Sequence, residues 1–113
     1  MPINEWSDSI LIAEVSDEPQ FSEDMENLIR RLESAGEQAP DVIVDMKSVT
    51  YLNSSNIAQL LRLRKIVVNG KARIRICSLA NPVWSVLLIT GLDKVFDFTD
   101  DVSTSLASLQ LEH

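Results

Sequence analysis

Residues 41–69, DVIVDMKSVTYLNSSNIAQLLRLRKIVVN, place an apolar run, a polar loop and a helical pattern in direct succession. Asp41–Met46 contains three consecutive β-branched residues, which is typical of a strand buried on both faces of a parallel sheet. Asn53 can cap the next helix, because its side chain can accept a hydrogen bond from a free N–H group of the first turn. Apolar residues keep helical spacing as far as Val68, so Asn69-Gly70 is predicted to end this helix instead of forming a hairpin turn.

The N-terminal side repeats the same order of elements. Ile10–Val15 reads as a strand, and Ser22 is predicted to cap a helix that Gly36 ends. The apolar residues of that helix recur at i, i+3, i+4 and i+7, and they are Met25, Leu28, Ile29 and Leu32. The residues before Ile10 are predicted to add an antiparallel edge strand.

Two further strand–helix pairs follow on the C-terminal side. Arginine and isoleucine alternate in Ala72–Cys77, which predicts a strand with one solvated face. Asn81-Pro82 is predicted to start a helix, with the asparagine as cap and the proline at the first helical position. Val95–Phe98 reads as the last strand, and Asp100 or Asp101 is predicted to cap a closing helix.

Strands that alternate with helices predict an α/β domain. We expect a single open sheet of four to five mostly parallel strands with about four helices. A chain of 113 residues has room for one domain, predicted over residues 1–110. Residues 111–113 read Leu-Glu-His and resemble an expression-tag remnant, and His113 is the only histidine.

The charged residues are distributed unevenly along the chain. The formal net charge is −7, but residues 1–46 hold twelve acids and two bases, whereas residues 47–113 hold five acids and eight bases. Overall acidity argues against general nucleic-acid binding, which needs clustered excess positive charge. Six of the ten bases fall within fourteen residues and form a local strip that is either a surface for an acidic partner or a solvated face. These bases are Arg62, Arg64, Lys65, Lys71, Arg73 and Arg75.

The cysteine content and the lengths of the apolar stretches indicate the cellular compartment of the protein. Cys77 is the single cysteine, so no internal disulfide can form, and a small buried hydrophobe is its predicted role. The first residues lack the basic start and apolar run of a signal peptide, and the apolar stretch Val83–Ile89 is too short to span a bilayer. These features predict a cytoplasmic protein without membrane insertion.

Few residues could carry chemistry. Ser54 and Ser55 are predicted to lie in the first turn of a helix, where free N–H groups and the helix dipole would tolerate a phosphate; helix capping explains the same residues. A serine nucleophile would need a base, and neither an internal histidine nor a Ser-x-x-Lys spacing supplies one. The acids between residues 93 and 101 match no metal-binding loop. We therefore predict no enzymatic activity, no metal site and no cofactor.

Two stretches resemble the signature of STAS domains, the family of the anti-sigma factor antagonists and their relatives. Residues 42–55, VIVDMKSVTYLNSS, resemble a hydrophobic strand followed by an aspartate, an x-x-V-T turn, an apolar pair and D-S-S-G. Residues 86–96, VLLITGLDKVF, resemble the second recurrent stretch of the family, a helix ending in L-x-x-T-G-L-x-x-x-F. The element order fits the family from about Ile10 to Leu109.

Three positions depart from the family pattern. Asn53 stands where the family has aspartate, and Asn56 stands where it has glycine. Asn56 is expected to add bulk where a kinase would have to approach closely. The connection Ser16–Phe21 lacks the usual Gly-x-Leu-Asp pattern, so the chain reads as a divergent member.

The resemblance implies a protein-binding module in a partner-switching system. Its partner would be an anti-sigma factor serine kinase, which phosphorylates a serine at the start of this helix, and a phosphatase would reset the cycle. The matching residue is Ser54, with Ser55 beside it, while nucleotide and magnesium would belong to the kinase. The residues expected to contact the partner are Asn53, Asn56, Arg62, Arg64 and Lys65.

The same resemblance leaves an alternative role open. Some small STAS proteins are regulatory subunits of the ATPase of a lipid-transport ABC system, and others are scaffold components of stress-sensing assemblies. Neither role needs a reversible phosphoserine, and the changes at Asn53 and Asn56 suit both roles at least as well.

Overall fold

The computed structural model describes residues 3–111 of the chain, apart from the side chain of residue 37. Its strands are β1 (Ile3–Ser7), β2 (Ile10–Ser16), β3 (Asp41–Ser48), β4 (Ile74–Cys77) and β5 (Asp97–Thr99), and its helices are α1 (Gln20–Ala35), α2 (Ser54–Asn69), α3 (Asn81–Thr90) and α4 (Val102–Leu111). Short 3₁₀ turns at Gly36–Gln38 and Leu92–Lys94 follow α1 and α3. Leu111 ends α4, and the other two residues of the suggested tag remnant, Glu112 and His113, lie outside the described residues.

The five strands form one sheet in the order β1-β2-β3-β4-β5. β1 pairs antiparallel with β2, and the remaining neighbours are parallel, as the sequence predicts. Alternate residues of β3 enter two different clusters: Val42, Val44 and Met46 pack with α1, α2 and α3, whereas Ile43 packs with α4. The central strand is therefore buried on both faces, which explains its unbroken apolar run.

Several predicted boundaries and caps need correction. α1 begins at Gln20, so Ser22 lies inside the helix and is not its cap; the Ser22 N–H group donates to the Glu18 carboxylate at 2.6 Å. Ala80 is the residue before α3, and Asn81 is already helical without capping through its side chain. The last strand is Asp97–Thr99 and not Val95–Phe98, because the chain first forms the 3₁₀ turn after α3.

The other predicted helix ends are confirmed. Gly91 ends α3 with a left-handed φ of 77°, and Asp101 accepts the Thr104 N–H group at the start of α4. Gly70 ends α2, although Lys71 takes the positive φ. Glycine is required at position 70 for steric reasons, because a Cβ atom there would lie only 2.9 Å from the Cβ atom of Ala39.

The predicted solvated face of β4 is wrong. Arg75 is only 6% exposed because α4 covers this face, and its guanidinium group donates to the Ser108 hydroxyl at 3.1 Å and to Asp97 at 3.4 Å. Arg73 donates to Asp41 and to the Leu109 carbonyl, at 2.9 and 2.8 Å. Both arginines therefore fix α4 to the sheet, and neither belongs to a solvated basic strip.

Candidate functional site

The first turn of α2 is closed by a reciprocal pair of asparagines. Asn53, in an extended conformation, accepts the Asn56 N–H group through its side chain at 2.8 Å. The Asn56 side chain in turn accepts the Asn53 N–H group at 3.1 Å. This arrangement is a capping box, and it confirms Asn53 as the N-cap.

Asn56 points inward and not toward a partner. It is 1% exposed, and its remaining side-chain donor Nδ2 lies 3.2 Å from Oε2 of Glu18. The capping box causes this orientation, because the third residue of the helix must reach back to the N-cap. The side chain of Asn56 therefore adds bulk inside the fold and not at the surface where it was expected.

Ser54 and Ser55 are the first two helical residues, and both are exposed. Within the described part of the chain, neither hydroxyl group has a hydrogen-bond partner. Because the capping box already satisfies the N–H groups of Asn53 and Asn56, the N–H groups left free in the first turn belong to the two serines. The turn therefore presents two hydroxyl groups and two backbone donors to solvent, at the positive end of the helix dipole.

The loop before these serines is held from two sides. Val49 and Leu52 are buried in the core, at 1% and 7% exposure, whereas Tyr51 between them is 48% exposed. Thr50 donates its N–H group and its hydroxyl group to the Asp17 carboxylate, at 2.8 and 2.6 Å. The β3–α2 loop is therefore held in place by two buried apolar side chains and by hydrogen bonds to Asp17 in the loop that follows β2.

Asp17 and Glu18 are site residues that the sequence analysis missed. Hydrogen bonds from the Thr50 side chain and N–H group lower the pKa of Asp17. The hydroxyl and N–H groups of Ser22 lower the pKa of Glu18, with a smaller contribution from Asn56. Two adjacent carboxylates directly after β2, at the same edge of the sheet as the Ser54 loop, are the signal that could have identified them.

These pKa shifts predict a loss of stability in acid. Because both carboxyl groups have lowered pKa values in the folded state, their stabilisation is complete above the pKa values of the unfolded chain, about 4. It is lost as the pH falls through the lower folded values. We expect chemical denaturation between pH 6 and pH 2 to show a smaller acid-induced decrease for D17N/E18Q than for the wild type. E23Q, which removes an exposed carboxylate of α1, should keep the wild-type pH dependence; equal curves for all three proteins would contradict the assignment.

The three basic residues expected to bind a partner lie in different environments. Arg62 is 49% exposed and pairs with Glu26 and Glu33 of α1, at 3.1 and 3.9 Å. Arg64 donates to the Val95 carbonyl at 3.0 Å. Lys65 is exposed and forms no salt bridge within residues 3–111. Of the three α2 bases, Arg62 is paired with acids and Arg64 is held by a backbone carbonyl, so Lys65 is the one whose side chain has no partner among residues 3–111.

The solvent face of α2 forms one continuous stripe. Residues spaced by three and four positions lie on the same side of a helix, and here they are all exposed: Ser54, Ala58, Leu61, Lys65 and Val68. The exposed fractions of Leu61 and Val68 are 40% and 48%. We call this set the α2 stripe; it begins at the exposed serines and continues as an apolar surface with one cation.

Among residues 3–111, no helix combines the length and the apolar character that crossing a bilayer requires. Within the same residues, acidic, histidine and cysteine side chains do not gather in groups of three or more that could hold a metal ion. Cys77 is buried as predicted, and burial raises the pKa of its thiol.

Known proteins share this architecture. The model of the STAS domain family matches residues 5–106. An anti-sigma-factor antagonist (STAS) domain protein of Planctomyces limnophilus is 16% identical, with a TM-score of 0.78 over 96% of this chain and 96% of that one. A serine-to-glutamate variant of RsbS from Moorella thermoacetica is 12% identical, with a TM-score of 0.78 over 97% and 96% of the two chains. A chain from the stressosome, a signal integration and transduction hub, is 13% identical, with a TM-score of 0.76 over 96% of both chains. At these identities the solved structures establish a shared fold.

Proposed function

Since this chain belongs to the STAS domain family, we propose that it is an anti-sigma factor antagonist-like module that binds an anti-sigma factor serine kinase in a partner-switching system. Ser54 is the proposed phosphorylation site, and Ser55 is the neighbouring candidate. The module itself is proposed to act by binding, without catalysis, in the cytoplasm, and a phosphatase would return it to the unmodified state.

The observation that carries the proposal is the exposed serine pair at a rigid helix start. A kinase needs a serine hydroxyl group that it can reach; Ser54 and Ser55 are exposed, and neither hydroxyl group has a hydrogen-bond partner among residues 3–111. The turn that carries them is fixed by the capping box and by the Asp17–Thr50 contacts. Phosphorylation would therefore change charge on a surface whose shape is already set, which suits a switch that acts at docking.

The α2 stripe is the proposed docking surface next to the serines. Its exposed Leu61 and Val68 offer apolar area, and Lys65 offers a cation that forms no salt bridge with any acid in the described part of the chain. Residues 46–92 contain no aspartate or glutamate, although the chain as a whole is acidic. The complementary surface would therefore be apolar with an acidic group opposite Lys65. Asn53 lies at the edge of this surface, whereas Asn56 supports it from below.

The direct test is phosphorylation by the candidate kinase. The protein is incubated with the kinase and ATP, and intact mass is measured for the wild type, S54A and S55A. The proposal expects one phosphate on the wild type and on S55A and none on S54A. A phosphate that only S55A abolishes would move the site by one residue. Absence of both phosphorylation and kinase binding would overturn the antagonist function.

A second candidate function is a binding subunit without a phosphoserine switch. The likeness to the stressosome chain favours a scaffold component, and the capping box gives Asn53 and Asn56 a structural role that needs no kinase. The same candidate includes a subunit of a lipid-transport ABC ATPase. Affinity capture with the tagged chain in native lysate, followed by mass spectrometry, separates these functions. Capture of a small serine-kinase ATPase would support the antagonist function, and capture of a large homologous assembly would support the scaffold. Capture of an ABC ATPase would support the transport subunit.

Charge reversal at Lys65 tests the docking surface with little risk to the fold. We expect K65E to weaken binding of the captured partner by about tenfold, mainly by slowing association, because a surface charge steers encounter more than it stabilises the complex. Titration calorimetry and stopped-flow kinetics measure the two effects. R30E, an equal charge change on the exposed surface of α1, is the control and should bind within twofold of the wild type. Equal weakening by both variants would show that net charge matters and the α2 stripe does not.

Lys65 is a better probe than the neighbouring arginines. Reversing Arg62 would place a carboxylate against Glu26 and Glu33, and replacing Arg64 would remove its bond to the Val95 carbonyl. Both changes would alter the packing of α2, so reduced binding could follow from a change in the fold.

A further inference from the structure

One carboxylate joins the starts of two helices. Oε1 of Glu18 accepts the Ser22 N–H group of α1 at 2.6 Å, and Oε2 accepts the Ser22 hydroxyl group. The same Oε2 accepts Nδ2 of Asn56 in the first turn of α2, at 3.2 Å. We call Glu18, Ser22 and Asn56 the Glu18 clasp. It ties the first turn of α1 to the first turn of α2.

The clasp depends on the side chain of Asn56. The family pattern has glycine where Asn56 stands, and glycine has no side chain that could reach across to Glu18. In this chain the buried Asn56 amide both closes the α2 capping box and binds Glu18. A negative charge therefore already lies against the helix turn that carries Ser54.

A second negative charge on this turn would interact with Glu18 across the width of the helix. Ser54 and Asn56 lie in the same turn but on opposite faces, since Ser54 is exposed and Asn56 is buried. A helix with its side chains is about 10–12 Å wide, which is close to the screening length of roughly 10 Å in 0.1 M salt, so the interaction is expected at low salt. A phosphate adds about −1.5 to −2 charges. The two groups would repel each other, although the helix dipole would favour each of them alone.

We propose that the Glu18 clasp is coupled to the charge state of Ser54, so that phosphorylation of Ser54 weakens the Glu18–Asn56 contact between α1 and α2. Glu18 is in this sense a positioning residue. The unmodified protein holds the first turn of α2 against α1; phosphorylation would weaken this contact, while the capping box keeps the shape of the turn itself. The inference rests on the proposed function only in naming phosphate as the charge; the coupling itself requires no partner.

The coupling is testable by a double-mutant cycle on the isolated full chain. Thermal unfolding midpoints are measured at low salt for the wild type, S54E, E18Q and S54E/E18Q. The Glu18 repulsion is present only when both carboxylates are present. We therefore expect S54E to raise the midpoint by at least about 2 °C more in the E18Q background than in the wild type. The control cycle replaces E18Q by E23Q, which removes an exposed α1 carboxylate outside the clasp; its two effects should add.

A spectroscopic measurement covers the case in which E18Q alters the fold. In ¹H–¹⁵N NMR spectra, S54E should shift the Asn56 side-chain amide and the Ser22 backbone amide, whereas S54Q should leave both near their wild-type positions. Additive midpoints in the Glu18 cycle, or unmoved amide signals in S54E, overturn the coupling even if a kinase phosphorylates Ser54. Conversely, failure of every kinase to modify the protein leaves the measured coupling intact and overturns only the proposed function.

Discussion

Replacing Asn56 by aspartate should destabilise the protein by about 3 kcal/mol at pH 7, because it places an uncompensated charge in a buried position. Asn56 is 1% exposed, and its amide nitrogen faces Oε2 of Glu18 at 3.2 Å. An aspartate oxygen there can donate no hydrogen bond and faces another carboxylate. The substitution keeps the acceptor for the Asn53 N–H group, so the capping box itself is not the part removed. We expect the thermal midpoint to fall by roughly 10–15 °C.

Two companion variants define the cause of this effect. N53D makes the same chemical change three residues earlier, where the side chain is exposed and aspartate caps as well as asparagine; its midpoint should stay within about 2 °C of the wild type. E18Q/N56D removes the opposing carboxylate and offers a donor in its place, so it should recover most of the lost stability. A full loss in N56D that E18Q fails to relieve would show that burial of the new charge, and not its repulsion by Glu18, dominates.

The architecture was predictable because its signals are local. The β-branched run of β3, the helical spacing in α1 and α2, and the alternation of strands with helices are each contained in short windows of sequence. Such windows also identified Asn53 as the cap of α2 and narrowed the cap of α4 to Asp100 or Asp101, of which Asp101 accepts the Thr104 N–H group. The position of the exposed serines was also predictable. The end of β3 and the cap Asn53 can both be read from the sequence, and together they place Ser54 and Ser55 in the first turn of α2.

The errors arose where a distant element decides the environment of a residue. The alternation of arginine and isoleucine in β4 predicted a solvated face, since arginine is rarely buried. In the folded chain α4 covers that face, and Ser108 and the Leu109 carbonyl supply acceptors for Arg75 and Arg73. The sequence of β4 alone cannot predict that its polar face is covered by a helix that begins twenty-five residues later.

In the candidate site, too, some features follow from neighbouring residues and others depend on residues far away in the sequence. Exposure of Ser54 and Ser55 follows from their place in the first turn, but the inward position of Asn56 depends on Glu18, which lies 38 residues away. The spacing of Asn53 and Asn56 is that of a capping box, with asparagine in place of the usual glutamate or glutamine. That local signal could have predicted the reciprocal pair, whereas the link to Glu18 required the fold.

Replacing Ser54 by glutamate should weaken binding of the captured partner by about 100-fold, which corresponds to about 2.7 kcal/mol. Ser54 begins the α2 stripe, so a carboxylate there would lie at the N-terminal end of the contact surface, which continues through Ala58 and Leu61. In a desolvated contact, a new charge without a partner costs several kcal/mol. The fold should survive, because acidic residues are favourable in the first turn of a helix.

The matched control for this loss is S54Q, which has nearly the shape of S54E without its charge. In titration calorimetry, we expect S54Q to bind the partner within fivefold of the wild-type affinity, whereas the affinity of S54E should fall by two orders of magnitude. Circular dichroism should show that both variants are folded. Equal losses for the two variants would assign the effect to bulk instead of charge. Unchanged affinity in S54E would place Ser54 outside the interface, and the α2 stripe would then have to bind through its C-terminal half, where Lys65 and Val68 lie. The K65E result distinguishes that case, because charge reversal at Lys65 would still slow association.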